Sequence, residues 1–124
     1  MIVSKRISFD AAHYLPNYDG PCHNIHGHRF NVELAVKGPV NPVSGMIIDF
    51  AWLKEFLSIV EEAFDHKLIN DTILNPTAEN ICLWIQDNFL SWNTDPDGLG
   101  AGPLITLAYI RVWETADSMA ELKL

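Results

Sequence analysis

The chain has 124 residues, enough for one domain with a genuine core and too few for a second, so residues 1–124 are read as a single unit. Sixteen acidic against eight basic side chains leave a formal net charge of −8, which argues against a nonspecific binder of nucleic acid or of anionic membranes; an anionic ligand needs a local basic pocket. Apolar residues make up 48%, yet no uninterrupted run is long enough to cross a bilayer, and Lys5 and Arg6 sit inside an alternating pattern rather than ahead of an apolar leader, so a cytoplasmic location is expected. In a reducing compartment Cys22 and Cys82 are expected to be free thiols.

From Ile2 to Phe9 the apolar Val3, Ile7 and Phe9 alternate with Ser4, Arg6 and Ser8, the period of a half-buried strand. After the turn-rich stretch from Pro16 to Pro21, the run from His28 to Val36 alternates again, with Phe30, Val32, Leu34 and Val36 against Arg29, Asn31 and Glu33. Lys37 to Gly45 reads as a loop, and Met46 to Ile48 as a short extended piece. Leu53, Phe56, Leu57, Val60 and Phe64 recur at helical spacing behind Asp49, a suitable cap, and predict a helix over about Phe50 to Phe64. A second helix is expected after Asn75-Pro76-Thr77, capped by Thr77, with Ile81, Trp84, Ile85 and Phe89 on one apolar face and Cys82 inside it without an assigned role. Asn93 to Pro103 reads as an exposed loop, Leu104 to Trp113 as the longest strand, and Ser118 to Leu122 as a closing strand. Two strands, two helices and two strands make an α+β layout.

His26 and His28 are two apart, so on an extended segment both rings project from one face, the face that also carries Phe30, Val32, Leu34 and Val36. A lone buried histidine is ordinarily a hydrogen-bonded core residue, but two on one face make a shared metal more economical than two separate networks. His13 follows Phe9 and Ala11 in phase, so pairing of the first two strands could deliver a third imidazole to the same point. Three imidazoles with an open position suit a catalytic zinc site; a structural one is normally closed by four protein ligands. His23 has the opposite parity and is the weaker candidate for a fourth.

Cys22, four residues before His26, could ionise near a dication and act as an acid-base group, or could be an ordinary loop cysteine. Asp65-His66 ends the first helix; a carboxylate can hold a histidine in one tautomer, though adjacent side chains on a helix diverge, and a C-terminal histidine also complements the helix dipole. Glu114, after the hydrophobic strand, could accept paired N–H donors from a heterocycle or simply be solvated. Glu79 reads from spacing alone as a first-turn acid beside its Thr77 cap.

Taken together, Phe9-Asp-Ala-Ala-His13, Cys22-His-Asn-Ile-His26-Gly-His28, Gly45-Met-Ile-Ile-Asp49-Phe50, Asp65-His66-Lys-Leu-Ile-Asn70, Asn75-Pro-Thr-Ala-Glu79-Asn80 and Val112-Trp-Glu114-Thr115 resemble, in that order and nearly end to end, the family of 6-pyruvoyltetrahydropterin and 6-carboxytetrahydropterin synthases. The resemblance implies a tunnelling fold, a four-stranded antiparallel sheet with two helices on one face (ββααββ), assembling as a homohexamer made of two trimers. It implies zinc held by His13, His26 and His28, an acid-base set of Cys22, Asp65 and His66, and a pterin pocket with Glu114 as anchor and Thr77 and Glu79 in its lining segment. The implied substrate is dihydroneopterin triphosphate, with no nucleic-acid or membrane partner. The three residues between Cys22 and His26 resemble the carboxy-forming branch of queuosine biosynthesis, which releases acetaldehyde and triphosphate. The biopterin branch has a longer spacing, and residues 22 to 28 contain no Glu of the kind found in the folate-feeding variant. Pyruvoyl synthase activity, a non-catalytic pterin or purine-binding module and a zinc hydrolase using His66 as base are the alternatives. Arg29, Lys54, Lys67 or a neighbouring subunit's cation is expected to meet the triphosphate.

Overall fold

The alternation at the N-terminus continues past Phe9, because the first strand finds a partner along its whole length. In the computed structural model, which describes residues 1–93 and 104–124, β1 runs Ile2–His13 and pairs antiparallel with β2, His26–Lys37, from Ile2 opposite Lys37 to His13 opposite His26. Both strands are thus longer than the alternating cores alone suggest, and both gained ends carry histidines. β3, Thr106–Thr115, pairs with β2, and β4, Ser118–Lys123, pairs with β3, giving an antiparallel sheet in the order β1-β2-β3-β4.

The expected α+β order of two strands, two helices and two strands is observed. Helix α1 spans Phe50–Phe64, capped by Asp49, whose carboxylate accepts the Ala51 N–H at 2.8 Å. Helix α2 spans Ala78–Asn93, with the Thr77 hydroxyl accepting the Asn80 N–H at 3.1 Å. α1 packs over β1 and α2 over β3 and β4. Leu53, Phe56, Val60 and Phe64 of α1 and Ile81, Ile85 and Phe89 of α2 bury against Phe9, Phe30, Val32, Leu34 and Ile110, a single core on one face of the sheet. Each such side chain contributes roughly 1.5–3 kcal/mol relative to exposure. The opposite face is polar: Arg111 pairs with Glu33 at 3.0 Å and Glu121 at 2.7 Å, and the Arg6 guanidinium lies over the Trp113 ring.

Two expectations change. Met46 to Ile48 is not a strand: Asn41 and Gly45 close a turn through Asn41 O, with Gly45 at φ +72°, and the segment leads straight into the Asp49 cap. The strand expected from Leu104 begins at Thr106 and continues to Thr115; Leu104 is an exposed turn residue. The expected loop from Asn93 to Pro103 lies, beyond Asn93 itself, outside the described residues. Cys82 is buried in α2 near the Ile110 and Ala120 carbonyls; burial, with Glu79 adding, pushes its thiol up to about 11, so it stays protonated.

Two irregularities in β3 matter for position. The register shifts between Ala35 and Val36 leave Ala108 unpaired, so that Leu107 as well as Ile110 and Val112 turns toward the core. A second shift, between Trp113 and Thr115, leaves Glu114 out of the β3–β4 ladder, in phase with Val112 and therefore on the core-facing side.

Candidate metal centre

The register of β1 on β2 places His13 directly opposite His26 and two residue pairs from His28, on the same face. The ring centroids lie 4.6 Å (His13–His26), 5.2 Å (His13–His28) and 4.8 Å (His26–His28) apart. Phe30, fully buried, stands edge-on to His13 and His28 and forms an apolar floor. His13 is itself fully buried.

Two of the rings are oriented by carbonyls. His13 Nδ1 lies 2.8 Å from Pro76 O and His26 Nδ1 lies 2.7 Å from Asn24 O. A carbonyl only accepts, so in the neutral rings Nδ1 carries the proton and Nε2 is left with a lone pair. The Nε2 atoms of His13, His26 and His28 are all buried without a hydrogen-bond partner among the described residues. Glu114 Oε1 completes the group, 3.1 Å from His13 Nε2 and 3.3 Å from His28 Nε2, and the ligand atoms of all four residues lie within 4.8 Å of one another. Buried acceptors that converge with no donor between them fit a divalent cation, and nitrogen with carboxylate oxygen is a ligand set zinc accepts. Burial, with His13 and His26 adding, holds His28 below its ordinary value against the opposing pull of Glu114, which keeps the ring neutral.

A second constellation adjoins this one, built on the free edge of β1. Asp10 N–H donates to Asp65 Oδ1 at 3.1 Å, and Asp10 O accepts from His66 N at 2.7 Å. Ala12 N–H donates to Lys67 O at 3.0 Å. Tyr14 is clamped by one amide, its N–H donating to Asn70 Oδ1 at 3.0 Å and its carbonyl accepting from Asn70 Nδ2 at 2.8 Å. The helix has ended at Phe64, Asp65 is extended, and His66 adopts φ +57°, a left-handed conformation that a non-glycine residue seldom takes. That turn brings the adjacent side chains together: His66 Nδ1 lies 3.0 Å from Asp65 Oδ2. The hydrogen bond from His66, followed by the Asp10 N–H, holds the Asp65 carboxyl below its ordinary range.

Between the two constellations lies an open depression of about 600 Å³ whose lining includes Gly27, His28, Arg29, His66 and Lys67. Of the cations expected at a triphosphate, Arg29 and Lys67 are here, while Lys54 is on the exposed face of α1. Arg29 lies 3.6 Å from Asp10, and Lys67 Nζ donates to Glu62 O.

Cys22 is half-buried in a short 3₁₀ turn, Pro21–His23, ahead of β2; its carbonyl accepts the Leu15 N–H, and its thiol is outside the four-residue ligand group. His23 is exposed in the same turn and is likewise outside that group, where Glu114 supplies the fourth donor. Thr77 is the α2 cap, one residue from the Pro76 carbonyl that orients His13. Glu79 is exposed and faces a separate groove with Cys82 and Leu122, away from the histidines of its own chain. Spacing did not reveal the contributions of Pro76, Asn24 and Asn70. For Glu114, the signal was present in its even spacing from Ile110 and Val112, which puts it on the core-facing side.

Comparison with known proteins agrees with this architecture. The chain is 37% identical over 123 residues to a putative 6-carboxy-5,6,7,8-tetrahydropterin synthase of Archaeoglobus fulgidus, covering 99% of this chain and 96% of that protein. It is 39% identical over 82 residues to a dihydroneopterin monophosphate aldolase of Pyrococcus furiosus, covering 66% and 68%. The structure of Caenorhabditis elegans 6-pyruvoyl tetrahydropterin synthase superposes with a TM-score of 0.83 at 26% identity, covering 100% of this chain and 95% of that one. Residues 2–124 match the 6-pyruvoyl tetrahydropterin synthase family, and with the sheet order, the helices and the histidine pairing in agreement, the chain belongs to that family.

Proposed function

We propose that residues 1–124 form one pterin synthase domain that uses zinc to convert 7,8-dihydroneopterin triphosphate and water to 6-carboxy-5,6,7,8-tetrahydropterin, acetaldehyde and triphosphate, the carboxy-forming step of queuosine and deazapurine synthesis. The observation that carries this reading is the convergence of three unpartnered imidazole Nε2 atoms, from His13, His26 and His28, of which His28 lines the same open depression as the Asp65-paired His66. The near full-length similarity to a putative 6-carboxytetrahydropterin synthase supports the branch.

His13, His26 and His28 would hold the zinc, which when bound supplies Lewis acidity toward the hydroxyls of the substrate side chain. His66, with Nδ1 committed to Asp65, presents Nε2 as a base at the edge of the depression and takes a proton from the side chain. Cys22 is the second acid-base group. Glu114 accepts the paired N–H donors of the pterin ring, and Thr77 and Glu79 lie in its lining segment. Arg29 and Lys67 neutralise part of the triphosphate charge in a protein otherwise strongly anionic. Electrons move from the side chain to the ring, a carbon–carbon bond breaks to release acetaldehyde, and water supplies the second carboxyl oxygen, so no redox cofactor is needed. A homohexamer of two trimers is the proposed assembly; among the described residues, the outward edges of β4 and of β1 ahead of Asp10 are left without a strand partner and could receive neighbouring chains.

The aldolase relative gives a second reading, cleavage to a hydroxymethyl pterin. Incubation of zinc-loaded protein with dihydroneopterin triphosphate, with mass spectrometry of the pterin and an acetaldehyde assay, separates them. Carboxytetrahydropterin and acetaldehyde, both lost in Cys22→Ala, support the proposal. A pyruvoyl or hydroxymethyl product overturns the branch, and metal binding without turnover indicates a binding module.

A further inference from the structure

The carbonyl that orients His13 belongs to Pro76, and the group that aims this carbonyl comes from helix α2. Pro76 O is 2.8 Å from His13 Nδ1, and His13 is fully buried. Behind it, the Thr77 N–H donates to Asn75 O at 2.9 Å, a bond that spans three residues and closes a γ-turn centred on Pro76. Proline suits that centre, because its ring holds φ at about −65°, close to the inverse γ-turn value. The peptide joining Pro76 to Thr77 is trans and planar, so its N–H and C=O point in opposite directions. With the N–H turned in to Asn75 O, the C=O is turned out to the histidine. Asn75 O accepts a second bond, from Asn80 Nδ2 at 2.8 Å, which engages both of its lone pairs. Asn80 is half-buried in the first turn of α2, and its own N–H donates to Thr77 Oγ1. At this place a capping box carries Glu or Gln reaching back to the N–H of the cap residue. Here that N–H is already engaged by Asn75 O, and Asn80 offers a donor to the same oxygen instead.

We propose that Asn80 is a positioning residue for His13: its amide holds the Asn75 carbonyl, the held γ-turn aims the Pro76 carbonyl, and that carbonyl keeps the His13 proton on Nδ1 and the Nε2 lone pair toward His26 and His28. This rests on the metal reading above, in which that lone pair is a ligand. Each link from α2 to the histidine is a hydrogen bond of 2.8 or 2.9 Å. An imidazole that lost the carbonyl could carry its proton on either nitrogen, and a proton on Nε2 removes the lone pair that a cation needs. His26 is oriented separately, by Asn24 O, and so serves as an internal standard.

The test reads tautomers by histidine nitrogen NMR in the full chain, freed of metal by chelator, at a fixed and mildly alkaline pH where the rings are neutral. Asn80→Asp keeps the size of the side chain but sets a carboxylate against Asn75 O, and Asn80→Ala removes the group; both leave the backbone N–H that Thr77 receives. In wild type the His13 ring, assigned by its absence from His13→Gln, is expected as a single Nδ1–H form. In both variants, checked for folding by circular dichroism, it is expected to become a mixture of tautomers while His26 keeps its Nδ1–H form. Zinc affinity, measured by competition with a chromophoric chelator, is expected to fall about 10–100-fold. An unchanged His13 tautomer or an unchanged zinc affinity in both variants would overturn the proposal. An equal loss of order at His26 would also overturn it, since that marks general loosening. Wild-type protein that binds no zinc would instead overturn the metal reading, and the His13 tautomer of the metal-free variants would still decide whether Asn80 sets the ring.

Discussion

Removing the Asn70 amide tests whether the clamp at the end of β1 sets the position of His13. Asn70 makes two hydrogen bonds to the Tyr14 backbone, at 3.0 and 2.8 Å, one residue beyond His13, and both are part-buried. At about 0.5–1.5 kcal/mol each, Asn70→Ala is expected to cost about 1–3 kcal/mol. At roughly 4 °C per kcal/mol for a chain of this size, the melting temperature falls by about 4–12 °C. Because the end of β1 is loosened where His13 leaves it, metal affinity should fall by about 10–100-fold, as when an orienting partner of a ligand is lost. Asn70→Asp keeps an acceptor for the Tyr14 N–H but sets a carboxylate against the Tyr14 carbonyl, so it should be at least as damaging. Thermal melts in chelator measure the first effect, and competition titration with a chromophoric chelator measures the second. A variant that melts low yet binds metal with wild-type affinity would refute the positioning role, and one that melts like wild type would refute the clamp.

Three further outcomes follow from the same geometry. His66 sits at φ +57°, where a residue with a Cβ is strained by about 1–2 kcal/mol, so His66→Gly should be more stable than His66→Ala by about 1 kcal/mol in urea melts, with both inactive; equal stability would count against the strained turn. Cys82 is buried with its thiol pushed up to about 11, so a thiol reagent at neutral pH should label Cys22 alone in the native protein and none in Cys22→Ala; rapid labelling of Cys82 would contradict its burial. The folded Asp65 carboxyl is depressed by His66 and the Asp10 N–H, so its contribution to stability is present above the ordinary carboxylate value near 3.8 and is lost as pH falls through the folded value. The stability gap between wild type and Asp65→Asn should therefore close below about pH 4, and a gap that persists in stronger acid would refute that assignment.

The helices and the inward histidines were legible because each rests on a local period. Leu53, Phe56, Val60 and Phe64 mark α1 at helical spacing, and His26 and His28 share parity with Phe30 whatever lies across the sheet. His13 required only the further assumption that the first two strands pair. The partners that tune those histidines were not legible, because a carbonyl has no sequence identity: nothing about Pro76 or Asn24 as residue types announces that their oxygens orient His13 and His26. Glu114 lies between these cases. Its parity was readable, but its approach to His13 and His28 depends on the ladder shift beside it, which the residue pattern does not encode.

The histidine cluster and the Asp65–His66 pair both hang from one strand. In β1 the side chains of Phe9, Ala11 and His13 enter the core, while Asp10 and Ala12 between them, and Tyr14 just past the strand, turn their peptide groups outward to the segment from Asp65 to Asn70. A slip of one residue would swing His13 out of the core and at the same time present the wrong peptide groups to His66 and Asn70. The register that brings the three histidines together is therefore the register that spaces them from the Asp65–His66 pair. In Phe9-Asp-Ala-Ala-His13 and Asp65-His66-Lys-Leu-Ile-Asn70 a histidine thus stands with residues that contribute through the backbone or through a single amide. The shared register also sets the order of sensitivity: a substitution that shifts the β1 edge disturbs both constellations together, whereas one confined to Glu114 or His66 disturbs only its own.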